Sequence, residues 1–184
     1  MKPYTALSLA ALVLAACAPD NPLPDAAILP PGAFGAGDPD MAAAQYAQSV
    51  FSDSSRTYGD AAAGARAVLA MDYLAGEVAT SPRWTSIGPQ TKLELLQARE
   101  QVRAAAGIAP NARSQAVVDS LVVASSALQA GDRAQAAASV ANPAFAGPPE
   151  QTLRRLANLP YIQAANVATA HALNEMFEPG HDGS

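Results

Sequence analysis

Two histidines, His171 and His181, are among the scarcest reactive groups in this chain, and both lie near its C-terminal end. His171 and Glu175 are four residues apart, so on a helix they share a face and could bind one metal ion. His181 could close such a site from the tail. Two ligands on one helix do not make a site, however, and nothing specifies the third; a surface His–Glu pair at helical spacing is the plainer reading. Asp38 and Asp40 could approach a calcium ion, but Asp38 directly precedes Pro39 and reads better as a helix N-cap. The glycine-containing acidic loop of an EF-hand is absent. No metal and no cofactor are expected.

Nucleophilic chemistry has as little support. There is no Gly-x-Ser-x-Gly elbow and no glycine-rich phosphate loop. The acids Asp72, Glu77, Glu94, Glu100 and Asp119 all fall on predicted helices, where solvated faces account for them. Only a cleft that brings two of them together would allow glycan cleavage by paired carboxylates. Tyr73, Trp84 and Tyr161 could line a ligand groove, but a chain with 5% aromatic residues is expected to spend them on its core.

The one stretch with a specific pattern is Leu14-Ala15-Ala16-Cys17, which closes an apolar run that begins near Ala6 and follows Lys2. A positive start, an apolar centre and small residues before the cysteine are the parts of an export signal. An apolar run this short falls below the roughly 20 residues a membrane-spanning helix needs. The stretch resembles the lipobox of bacterial lipoproteins. That resemblance implies cleavage before Cys17, a thioether-linked diacylglycerol on Cys17 and an amide-linked acyl chain. Two or three chains anchor stably, because each buried methylene contributes about 0.8 kcal/mol. In lipoproteins of enteric bacteria an aspartate after the cysteine retains the protein in the inner membrane. Here that position is Ala18, so the analogy leans to the outer membrane, facing the periplasm. Cleavage after Ala16 or Ala18 by ordinary signal peptidase is the rival, but it places Leu14 at −3 or Pro19 just past the scissile bond. A buried N-terminal helix with an incidental cysteine is the other. Cys17 is the only cysteine, so it has no intramolecular disulfide partner.

Half the chain is hydrophobic, 15% is charged and the net charge is −5. This balance argues against nucleic acid, whose phosphates need clustered Lys and Arg. The adjacent pair Arg154-Arg155 reads as a solvated helix face. Alanine, the best helix former, is unusually frequent, which predicts many closely packed helices. The chain beyond Cys17 is long enough for one domain with a real core, and too short for two.

Residues 17–37 read as the lipidated cysteine and a flexible tether, since Pro19, Pro22, Pro24, Pro30, Pro31, Gly32, Gly35 and Gly37 preclude regular structure over most of it. Its apolar insert Ala26-Ala27-Ile28-Leu29 is expected to pack on the domain rather than serve as a separate docking segment. The domain then spans 38–178, with a disordered tail at 179–184.

Seven helices are predicted. The first is capped by Asp38 and runs to about Ser52, with Tyr46, Val50 and Phe51 inward. The second covers 58–79 behind a capping box of Thr57 and Asp60, with Ala67, Met71, Leu74 and Val78 as its stripe. Gly64 and Gly76 on it suggest close approach of a neighbouring helix. After a turn holding Trp84 and Ile87, Gly88-Pro89 opens a third helix, with Leu93 and Leu96 facing inward and Leu95 and Val102 as further candidates; it ends at Gly107. A fourth, starting at Pro110-Asn111, carries Val117, Val118, Leu121, Val122, Ser125 and Leu128 and reads as the central helix. Gly131-Asp132 turns it into a fifth, over 133–141. Pro148-Pro149 opens the sixth, with Leu153, Leu156 and Ala157 inward. The last, over 160–177, packs through Ile162, Ala165, Thr169, Leu173 and Met176. The hairpin over residues 127–140 resembles those of tetratricopeptide and related helical repeats. No recurrence at a spacing of about 34 residues accompanies it. The expected fold is therefore an all-α, single irregular bundle of six to seven helices behind a Pro/Gly-rich tether.

These readings lead to a membrane-anchored envelope lipoprotein that acts as a non-enzymatic helical interaction or structural module. Its expected partners are membrane lipid through Cys17 and an envelope protein. The alternatives are a carrier of a small apolar ligand or lipid in an interhelical pocket, and a cell-wall hydrolase using paired carboxylates.

Overall fold

The computed structural model describes residues 25–177. The expected signal peptide, Cys17, the first part of the tether and the tail at 179–184 lie outside them. The described residues form an all-α bundle of seven helices with no β-strand. The helices are α1 (Pro39–Phe51), α2 (Ala61–Thr80), α3 (Pro89–Ala106), α4 (Ser114–Gln129), α5 (Arg133–Ser139), α6 (Pro149–Leu156) and α7 (Gln163–Phe177), with short 3-10 turns at Ser54–Thr57 and Pro82–Trp84. No helix among the described residues is long and apolar enough to cross a membrane.

The central helix is α2, not α4 as the apolar pattern suggested. It packs against α1, α3, α4 and α6, while α7 lies against α1 and α3 and α5 lies between α4 and α6. The expected stripe of Ala67, Met71, Leu74 and Val78 is fully buried, but so are Ala65, Val68, Leu69, Ala70 and Ala75 around the rest of the helix. Alanine and glycine let neighbours close in from every side, so α2 is covered without a strongly apolar face of its own.

Gly64 and Gly76 show this directly. A Cβ on Gly64 would stand 1.8 Å from the carbonyl oxygen of Leu156, where the end of α6 rests on α2. A Cβ on Gly76 would stand 2.6 Å from the Asp25 carbonyl and 2.7 Å from the Ala26 Cα. The neighbour at Gly76 is thus the irregular N-terminal segment rather than a helix. That segment corrects the expectation of a loose tether as far as Gly37. Ala27 is buried, and Ile28 exchanges two hydrogen bonds with the Gln115 side chain, donating its N–H at 2.8 Å and accepting at 3.2 Å. The apolar insert packs on the domain as expected.

Several helix starts shift. Asp60, rather than Thr57, is the N-cap of α2, accepting from the Ala63 N–H at 2.9 Å. Helix α4 begins at Ser114 because 108–113 is drawn into other pairings: Ala109 N–H donates to Ala144 O at 2.8 Å, and the Ala112 carbonyl accepts from Arg103 at 2.9 Å. Helix α7 begins after Ile162, whose carbonyl accepts from Ala165 and Asn166 N–H. At the hairpin, Gly131 takes φ +78° and Asp132 caps α5 through the Gln135 N–H, as the sequence predicts. Leu93, expected inward, is 54% exposed, and Leu95 takes the core position on α3.

Candidate functional site

Asp38 and Asp40 meet at Arg83, with no calcium-loop geometry around them. Asp38 caps α1, accepting from Asp40 N–H at 3.0 Å and Met41 N–H at 3.2 Å, while its other oxygen pairs with Arg83. Asp40 is buried. It accepts from Arg83 at 2.9 Å, from Trp84 Nε1 at 3.0 Å and from the Tyr73 hydroxyl. The Arg83 hydrogen bond holds Asp38 below its ordinary carboxylate range. Burial, reinforced by the Asp40 carboxylate, pushes the Tyr73 hydroxyl up. Tyr73 and Trp84 are core residues, whereas Tyr161 is exposed. Both carboxylates are thus engaged by internal donors.

Asp72 is not on a solvated face. It is 1% exposed and accepts from Arg103 Nε at 2.6 Å and Nη2 at 2.7 Å, a bidentate pair across α2 and α3. Burial disfavours the Arg103 charge, but Asp72 more than reverses this and holds the guanidinium above its ordinary value. Arg103 and Arg99 both donate to Ser114 Oγ, and Arg99 also donates to the Asp25 carbonyl at 2.8 Å. Ser114 Oγ in turn donates to that carbonyl, and the Asp25 carboxylate accepts the Ser114 N–H at 2.6 Å. The first turn of α4, preceded by Arg113 with no capping side chain, is therefore capped by Asp25 from the far end of the chain.

His171 and Glu175, expected as a surface pair on one helix face, instead serve two separate partners. Glu175 accepts from Gly88 N–H at 2.6 Å and from the Thr91 hydroxyl at 2.5 Å, which caps α3, whose own N-cap is the side-chain-less Gly88. His171 Nδ1 lies 2.7 Å from Glu94 Oε2. Among the described residues, no three His, Cys, Asp or Glu side chains are grouped to hold an ion. Glu100 and Asp119 are exposed and Glu77 is half-buried. Arg154 is exposed and Arg155 half-buried, its guanidinium lying over Gly107.

A partly buried charged group also stands outside these networks. Arg66 of α2 packs its guanidinium against two rings, 5.0 Å from the centre of Phe34 and 4.8 Å from that of Tyr46. The rings touch each other, with centroids 5.9 Å apart. Arg66 Nε is buried with no hydrogen-bond partner, and no described carboxylate pairs with the side chain. An unsatisfied buried donor costs about 1–3 kcal/mol, so the arrangement is notable in a protein whose other buried charges are saturated. Arg66 lines a cleft of about 440 Å³ between the turn at 30–35 and helices α2 and α4. Leu69 and Val122 line it with apolar surface, and Ser125, Ser126 and Gln129 with polar groups. Sequence reasoning passed over this site. Its one signal is a lone arginine within the alanine-rich run 61–71, and half the site comes from a segment expected to be loose.

Scanned against protein-family models, curated proteins and solved structures, the chain shows no match.

Proposed function

We propose that this chain is a lipid-anchored bacterial envelope protein, held to the membrane through Cys17, whose helical domain is a non-enzymatic interaction module. The observation that carries the anchor is the sequence Leu14-Ala15-Ala16-Cys17 after an apolar run. The packing of Asp25 adds a spatial consequence. Asp25, which is held on the domain, lies eight residues after Cys17, so at about 3.5 Å per residue it stays within roughly 30 Å of the anchor. The non-enzymatic reading is supported by Asp38, Asp40, Asp72 and Glu175, which among the described residues are held by internal structural partners. For protein docking, Tyr58 is 83% exposed beside Asn158 and Leu159, and Tyr161 is exposed just beyond them. Exposed aromatic side chains are the kind that anchor protein interfaces.

The test is Cys17→Ser in the full chain. The expected result is loss of the lipid mass increment and release from the membrane fraction; continued membrane fractionation of the variant overturns the anchor. Affinity capture from detergent-solubilised envelopes is expected to recover a specific protein that Tyr58→Ala with Tyr161→Ala fails to hold. Equal recovery with the double variant removes these tyrosines as the docking point.

A further inference from the structure

We infer that the Arg66 cleft is a binding site for a small amphiphilic anion: one carboxylate or phosphodiester group attached to a short apolar body. The argument starts from the guanidinium. Phe34 and Tyr46 hold it in place by cation–π contact, yet neither ring can accept the in-plane hydrogen bonds of its N–H groups. Asp60 and Asp72 each lie six residues from Arg66 in sequence; Asp60 caps α2 through the Ala63 N–H, and Asp72 is paired with Arg103. Nε itself is buried, so a ligand in the cleft that Arg66 lines would meet the Nη end of this always-charged group, which the paired oxygens of an external oxyanion match.

The cleft narrows the ligand class. Its volume of about 440 Å³ suits a small molecule rather than a bare ion. Val122, Pro30 and Pro31 offer apolar surface to a short chain, while Ser126 and Gln129 line the same cleft with hydroxyl and amide groups. Arg66 is the one charged residue lining the cleft, which fits a single negative charge better than a phosphate monoester with two. The wall at 30–35 belongs to the segment that Asp25 and Ile28 fasten to α4, so the site exists only while that segment is docked.

The experiment titrates the full chain, kept in a non-ionic detergent, with hexanoate, with dihexanoylphosphatidylglycerol and with uncharged hexanol. The Arg66 Nε–H and the Ser126 and Gln129 amides are followed by NMR. Saturable shifts with hexanoate alone point to a free carboxylate, with the phospholipid alone to a lipid headgroup, and with both to a general oxyanion site. Hexanol is expected to leave all three signals unmoved. Arg66→Met, which keeps the stem over the rings, is expected to weaken anion binding about ten- to a hundredfold. Ser126→Trp leaves Arg66 intact and fills the cleft; it is expected to abolish binding, and it decides the matter should Arg66→Met fail to fold. The inference is overturned if neither anion gives a saturable shift. It is equally overturned if either folded variant binds as the parent does.

Discussion

At the scale of single residues, the buried charges are stable only as complete sets. Removing Asp72 would strand Arg103, which is 7% exposed, so Asp72→Ala is expected to destabilise the fold by about 3–5 kcal/mol in urea unfolding. The double change Asp72→Leu with Arg103→Met removes both charges together and is expected to recover most of that loss. If the single and double variants were equally destabilised, the pairing argument would fail. Tyr73 provides a pH test with a definite sign. Its folded pKa lies above its ordinary value near 10.0, so the fold favours the protonated hydroxyl. This contribution is fully present below pH 10 and is lost as pH rises through the alkaline range toward the folded value. Tyr73→Phe, lacking the titrating group, is expected to show a shallower decline of stability above pH 10, measured by chemical denaturation across that range.

At the scale of elements, helix ends and helix crossings depend on distant partners. Gly64→Ala and Gly76→Ala should each raise the intrinsic helix propensity of α2 by about 1 kcal/mol. Yet each places a Cβ within 3 Å of backbone from another element. The expected net result is destabilisation by about 1–3 kcal/mol, read as a lowered thermal midpoint. The N-cap residues of α3 and α4, Gly88 and Arg113, supply no side-chain cap. Their caps come from Glu175 and Asp25. Glu175→Ala and Asp25→Ala are each expected to lose about 1 kcal/mol, with faster amide exchange confined to the first turn of the helix concerned. Protection that stays unchanged in those turns would show that the remote carboxylates do not serve as caps.

At the scale of the whole molecule, residues 25–37 belong to the folded body. They cover Gly76, cap α4 and wall one side of the Arg66 cleft. A chain truncated to begin at Asp25 serves as the reference for what residues 25–37 contribute. One that begins at Asp38 loses a helix cap, two hydrogen bonds to Gln115 and the burial of Ala27, and is expected to be less stable by about 2–4 kcal/mol. Equal midpoints for the two truncations would mean that the segment contributes nothing to stability.

Much of this architecture is legible in the chain itself, because local signals act locally. Asp38 before Pro39, Gly107, Gly131 before Asp132 and Pro148-Pro149 mark helix ends through backbone conformations and caps that neighbouring residues enforce. The spacing of Met71, Leu74 and Val78, or of Val117, Leu121 and Ser125, likewise follows from helical periodicity alone. The tertiary structure decided what depends on encounters between distant residues. Alanine is equally at home on a surface or in a close crossing, so its pattern could not reveal that α2 is central. A proline-rich segment lacks regular structure whether loose or docked, and only Asp25 at the start of α4 and Ala26 over Gly76 distinguish the two. For the same reason the acids and the arginines looked alike along the chain. Burial and geometry saturate Asp40 and Asp72, divide His171 from Glu175, and leave Arg66 between two rings with its hydrogen-bonding edge unanswered.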